Sequence, residues 1–342
     1  MKNLRICLQP NCNAMPPDVW GSQFVMQPTL YSTISRLKYK ADVFETKLEC
    51  ESIEDLLKDT YSGDTWADCV DKRAIELHDT GKHIYIMWSG GIDSTCALTG
   101  ILRNWPKESL NRLTVLCNGY SIEEYPEYFI DIVSKIQHET IKTSLEEYTQ
   151  KGILTTGEPA DPLFGAASIR WLAKTNRLKD PNWKDNIVEI FNNQSGSKNG
   201  KLIFERYEPI AEEFPGGIKY AEEFTWWFNF TQKWQINLYR LFAPETAFVN
   251  PKEAFKNIHH FYNTRYFQLW SLHNQDKRIK STVNSYKWPA KDYIREFTKH
   301  TSYDNKSKVS SLQNLWKHNR FNWALDEDFN YLTLDELLKY KR

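Results

Sequence analysis

The chain has 342 residues, 41% of them hydrophobic and 26% charged, which leaves room for about two domains and a sizeable core and excludes a largely disordered chain. Lys plus Arg and Asp plus Glu each number 44, so the formal net charge is zero and a chain-wide electrostatic footprint for nucleic acid is excluded. The apolar runs are a handful of residues long, no apolar leader opens the chain, and the six cysteines show no CxxC spacing; these features predict a cytoplasmic protein without membrane span, secretory signal, disulfide framework or zinc site.

In chain order, a Pro/Asn-rich opening, strand-like pieces at 24–31 and 41–48 and a short acidic helix at 52–59 predict a small leading unit, 1–62, whose role is not legible. The second domain, 63–342, opens with Trp66, Cys69, Val70, Ala74 and Leu77 at helical spacing, and Gly81 is placed to end that helix. A strand at HIYIMW (83–88) follows, then a glycine turn, a helix over 94–104, a strand at LTVLCN (113–118), a helix over 125–138 and a strand at KGILTT (151–156). This alternation predicts an α/β fold with a parallel sheet wrapped by helices. From about residue 166 the pattern turns helical and aromatic, broken by the polar NNQSGSKNGK at 192–201, which reads as a loop or hairpin tip.

The turn after the first strand reads Ser89, Gly90, Gly91, Ile92, Asp93, Ser94 and opens directly into a helix. Glycines let the backbone turn tightly, so successive N–H groups can face an anion at the helix N-terminus. Two serine hydroxyls add donors, and Asp93 can hold the Mg²⁺ that accompanies a phosphate. The loop is neither the GxxxxGK(S/T) phosphate loop nor the GxGxxG dinucleotide turn. Three other signals are set aside. The aromatic FTWWFNFTQKWQINLYRLF at 224–242 lacks interleaved basic residues and reads as core, with some rings free to wall an acceptor pocket. The adjacent His259 and His260 point to opposite faces and do not share a metal. Cys117 reads as core filler rather than a nucleophile.

SGGIDS resembles the pyrophosphate-binding loop of the ATP pyrophosphatase (PP-loop) family, whose members cleave ATP between the α and β phosphates. The resemblance implies that Ser89, Gly90, Gly91, Asp93 and Ser94 bind ATP and its pyrophosphate, and that backbone groups near Met87 and Leu116 face the adenine. A second segment, Gly157-Glu158-Pro159-Ala160-Asp161-Pro162-Leu163-Phe164-Gly165, resembles the GEGADELFG segment of asparagine synthetases, matching seven of nine residues. Asp161 follows a parallel strand, where open α/β sheets gather ligands, and is expected to share Mg²⁺ with Asp93. Lys287, opening KWPAKDYIR, is similar in register to the KxxLR stretch of the same family, with Ala290 and Lys291 in place of its leucine and arginine. The likeness spans about residues 65–300. It implies a PP-loop domain with a helical C-terminal extension that adenylates a small-molecule or peptide carboxylate and passes it to an amine or ammonia. Lys287 and Glu158 would be its catalytic residues, ATP and Mg²⁺ its cofactors.

Position 2 is Lys2 where those synthetases carry a catalytic cysteine, and too few residues precede the loop for a glutaminase domain, so glutamine hydrolysis is not expected. Pro159 and Pro162 replace a glycine and a glutamate of the pattern, stiffening the segment and removing two N–H donors. Two alternatives stay open. One is a PP-loop enzyme that modifies tRNA or a nucleobase, against which the neutral charge and absent CxxC count. The other is a nucleotide-binding partner protein without turnover.

Overall fold

The computed structural model describes residues 4–7, 52–195, 200–304, 308–316, 322, 324–326, 328–333 and 336. The strand-like pieces at 24–31 and 41–48 lie outside the described residues. The first strand, β1 (Leu4–Cys7), pairs antiparallel with β6 (Ala324–Asp326), which pairs in turn with β7 (Tyr331–Leu332). Ser52 caps α1 (Ile53–Lys58) by accepting from Asp55 N–H. Ile53 and Leu56 are buried in the same core as the main sheet, and Arg265 holds Asp59 at 2.5 Å. Residues 52–62, read from sequence as part of a separate leading unit, thus pack on the body of the second domain.

That body is an α/β arrangement around a parallel four-stranded sheet in the order β4-β3-β2-β5. β2 (Ile84–Met87) lies at its centre, pairing with β3 (Leu113–Cys117) on one side and β5 (Ile153–Thr155) on the other. β3 and β5 are buried throughout, as expected of strands covered on both faces. The expected helix α2 (Trp66–Asp79) forms and is followed by Gly81 at φ +67°, and α3 (Ile92–Asn104) springs from the glycine turn; α2 starts on a Thr65–Asp68 capping box.

The region expected as one helix over 125–138 is instead divided. α4 (Gly119–Glu124) stops at Tyr125, Pro126 starts α5 (Pro126–Asp131), and the chain then forms the edge strand β4 (His138–Thr140). Proline cannot donate to a preceding carbonyl, so a new helix begins there. β4 has no apolar residue and is exposed at all three positions, so only its pairing with β3 makes it a strand. The last strand begins two residues later than the 151–156 expectation, because Lys151 closes α6 (Glu146–Lys151).

The rest is mainly helical: α7 (Ala160–Phe164), α8 (Ala166–Lys174), α9 (Trp183–Ser195), α10 (Gly200–Tyr207), α11 (Ala221–Gln232), α12 (Trp234–Tyr239), α13 (Pro251–Phe255), α14 (Arg265–His273) and α15 (Trp288–Thr298). The polar stretch read as a loop is largely helix termini, since α9 runs through Ser195 and α10 starts at Gly200. The aromatic stretch is core: Trp226, Trp227, Phe230 and Trp234 are fully buried. Their indole N–H groups are satisfied, that of Trp226 by Leu163 O and Ser271 Oγ and that of Trp227 by Ile210 O. No helix among the described residues is long and apolar enough to cross a membrane.

Candidate functional site

The glycine turn is braced from within. Ser89 N–H donates to Ser94 Oγ (3.0 Å), the two serine hydroxyls meet at 2.9 Å, and Gly91 N–H donates to Ser89 Oγ (3.3 Å). The hydroxyls expected to face an anion therefore also hold the loop's shape. Gly90 has φ +73°, and a Cβ there would stand 2.4 Å from Ser121 O, so both conformation and packing require glycine. Gly91 caps the 13-residue α3 without a side-chain bond, which leaves the first-turn N–H groups unserved by any cap side chain. Met87 and Leu116 are register partners at the carboxyl ends of β2 and β3, and Leu116 O accepts from Trp88 N–H at 2.9 Å.

Gly157 lays the second segment against this turn. A Cβ on it would come 2.8 Å from Ser94 N and 3.0 Å from the Asp93 carbonyl carbon. The segment then turns through a cis Glu158–Pro159 bond into α7, whose first turn carries Asp161. Lys287 arrives from more than 120 residues downstream. Its ammonium donates to Asp93 Oδ1 and Oδ2, both at 2.7 Å, and to Asp161 Oδ1 at 2.6 Å. Lys287 itself is 3% exposed, whereas the Asp161 side chain is 51% exposed.

Two features fix this lysine. Its backbone is left-handed at φ +59°, a conformation that costs a residue with a Cβ about 1–2 kcal/mol and persists where the surroundings over-determine it. Its N–H donates to Arg278 O (3.0 Å), and its own carbonyl starts α15 by accepting from Lys291 N–H (3.1 Å). Asp71 of α2 then clamps α15 to α3, accepting from Tyr293 OH and, at 2.7 Å, from Asn104 Nδ2.

Burial works to lower the Lys287 pKa, but the charges of Asp161 and Asp93 outweigh it and hold the ammonium protonated well above its ordinary range. Burial likewise works to raise Asp161, and Lys287 overcomes it, so this carboxyl sits below its usual value. With all three ionised the trio carries one net negative charge, which favours a further cation beside the open Asp161. Two carboxylates next to an uncapped helix start fit Mg²⁺, an ion that takes one or two protein carboxylates together with phosphate oxygens. No cluster of three or more His, Cys, Asp or Glu side chains suited to a metal occurs among the described residues.

Glu158 is not an open base: it forms an ion pair with Arg240, at the end of the aromatic stretch. Arg240 carried a legible signal that went unread, a lone guanidinium in an apolar helical run, which must find a partner. Glu124 is a second unread residue. It is buried beneath Gly90 and accepts from Val309 and Ser310 N–H at 2.8 and 2.7 Å, while Tyr303 OH donates to Gly90 O. This brings Lys308 close enough for its charge to act on Asp93 and Asp161.

His260 is buried and neutral, its pKa pushed down to about 4 by burial. Nε2–H donates to Leu238 O (2.8 Å) and Nδ1 accepts from Thr156 Oγ1 (2.7 Å), so neither nitrogen is left for a metal. Cys117 is 3% exposed, and burial pushes its thiol up to about 11, against a nucleophilic role. No protein-family model matches this chain, and comparisons with curated proteins and with solved structures likewise give no match.

Proposed function

We propose that the chain is an ATP-dependent, AMP-forming ligase of the asparagine synthetase type, built on a PP-loop domain. The observation that carries the reading is the convergence of Asp93, Asp161 and Lys287 within 2.6–2.7 Å contacts. Each comes from a different one of the three sequence segments that bear the family likeness.

In this reading the turn 89–94 and the start of α3 bind the pyrophosphate end of ATP. Asp93 and Asp161 would hold Mg²⁺, which neutralises phosphate oxygens when bound. The acceptor carboxylate attacks the α-phosphorus and the bond to the β-phosphate oxygen breaks, giving an acyl adenylate and pyrophosphate. An amine then adds to the acyl carbon, loses a proton and expels AMP to leave an amide. Lys287 is the chain's own counter-charge for the departing pyrophosphate, held ready by the carboxylates it bridges. Glu158, fixed by Arg240, orients the incoming amine.

The test is product identity. Purified chain with Mg·ATP, a panel of carboxylic acids and ammonia or a primary amine should yield AMP and pyrophosphate in an acid-dependent manner. Asp93→Asn and Asp161→Asn should each reduce this about tenfold or more, roughly 1.4 kcal/mol. ADP and phosphate as products, or activity unchanged from the wild type in both variants, would remove the reading.

A further inference from the structure

A row of polar side chains runs along one face of the aromatic helix pair at four-residue spacing: Thr225, Asn229 and Lys233. All three are buried, at 4%, 2% and 6% exposure. Thr225 Oγ1 and Asn229 Oδ1 have no hydrogen-bond partner. Among the described residues the Lys233 ammonium has no hydrogen bond and no ion pair, and the residue sits at the junction of α11 and α12. Burying an ammonium without an anion is costly, and burial pushes Lys233 down to about 8.

The row abuts the candidate site. Asn229 Nδ2 donates to Gly165 O, the last residue of the segment that carries Asp161, and a Cβ on Gly165 would lie 3.3 Å from Trp226 Cα. The charge of Asp161 in turn acts on Lys233. All three polar residues line one cavity of about 10 Å³, walled by Phe191, Phe224 and Phe228. That space, open on part of its boundary, takes a water-sized group.

We propose that Lys233, with Thr225 and Asn229 behind it, anchors a second carboxylate of the ligase's acid substrate, distinct from the carboxylate that attacks ATP. A carboxylate oxygen matches the cavity in size and supplies the anion that the ammonium lacks. The Thr225 hydroxyl is a free donor for that oxygen, and Asn229 Oδ1 is a free acceptor for an ammonium proton. The remainder of the acid then lies toward Asp161, whose charge acts on Lys233. This inference rests on the ligase reading for its substrate, while the row itself is independent of ATP.

The experiment is calorimetric titration of the full chain with acetate, succinate and L-aspartate, and with inorganic phosphate as a contrasting anion. Mg·ATP binding is measured on the same samples. The wild type should bind at least one of the three acids, and Lys233→Met should weaken that binding about tenfold or more while leaving Mg·ATP binding unchanged. Thr225→Val, a near-isosteric change, should weaken it less. Lys233→Met removes a buried charge and keeps the aliphatic stem, so it should fold at least as stably as the wild type, whereas a merely structural lysine would show a loss of stability. The proposal is overturned if none of the acids binds the wild type, if Lys233→Met binds them equally, or if phosphate binds as well as the acids do. Failure of the wild type to bind Mg·ATP strikes at the ligase reading instead and leaves the carboxylate result to be judged by itself.

Discussion

Replacing Lys287 by methionine keeps the buried stem and removes the charge between two carboxylates. The Asp93 and Asp161 oxygens that grip the ammonium stand no more than about 5.3 Å apart, since the two contacts are 2.7 and 2.6 Å. At an effective dielectric of about 20, two bare carboxylates at that distance repel by about 3 kcal/mol. Asp161 is half-exposed, and solvent screening brings the figure down to about 1–2 kcal/mol, on the order of one pH unit. Lys287→Met should therefore lose about that much stability near neutral pH, and the deficit should shrink toward about pH 5 as one carboxyl takes up a proton. Mg²⁺ should stabilise the variant more than the wild type, because the ion replaces the missing charge. Urea denaturation at the two pH values, with and without MgCl₂, reads all three effects. Equal stability of variant and wild type at both pH values, or an equal response to Mg²⁺, would refute the reasoning.

Other expectations follow from the same geometry. In turnover, Lys287→Met should lower kcat by on the order of 10²-fold with little change in the KM for ATP. Lys291→Met should stay within about twofold, since Lys291 Nζ reaches Asn284 O (2.7 Å) and neither aspartate; equal effects would detach Lys287 from the chemistry. Gly157→Ala drives a Cβ to 2.8 Å from Ser94 N, and denaturation should show about 1–3 kcal/mol of overpacking with weakened ATP binding; an unperturbed variant would mean the segment does not rest on α3. Asp161 is held below its ordinary value of 3.8, so its contribution to stability is present above that value and fades as pH falls through the folded pKa. Asp161→Asn should flatten that acid limb, and parallel limbs for variant and wild type would contradict it. Lys287 is shifted upward, so its share is complete below 10.5 and is lost only as pH rises through a higher folded value.

The local plan was legible because its signals are local. A helix with a regular apolar period and a closing Gly81, short apolar strands and a glycine turn before α3 are each written within a few neighbouring residues. Short-range sterics and hydrogen bonding decide such elements. β4 was missed for the converse reason: three exposed polar residues carry no apolar period, and their strand exists through the pairing partner β3 alone. The break at Pro126 was readable and went unread.

The sequence by itself singled out the candidate site residues: a glycine turn with Asp93, a segment with Asp161, and a lysine at 287. Only the tertiary structure decided how the charges pair. It gave Lys287 to both aspartates, Glu158 to Arg240, and left Lys233 buried with no counter-ion among the described residues. The physical reason is that ion pairing depends on separation and burial in space. Asp93 and Lys287 lie 194 residues apart in the chain, a distance at which neither spacing nor periodicity carries information.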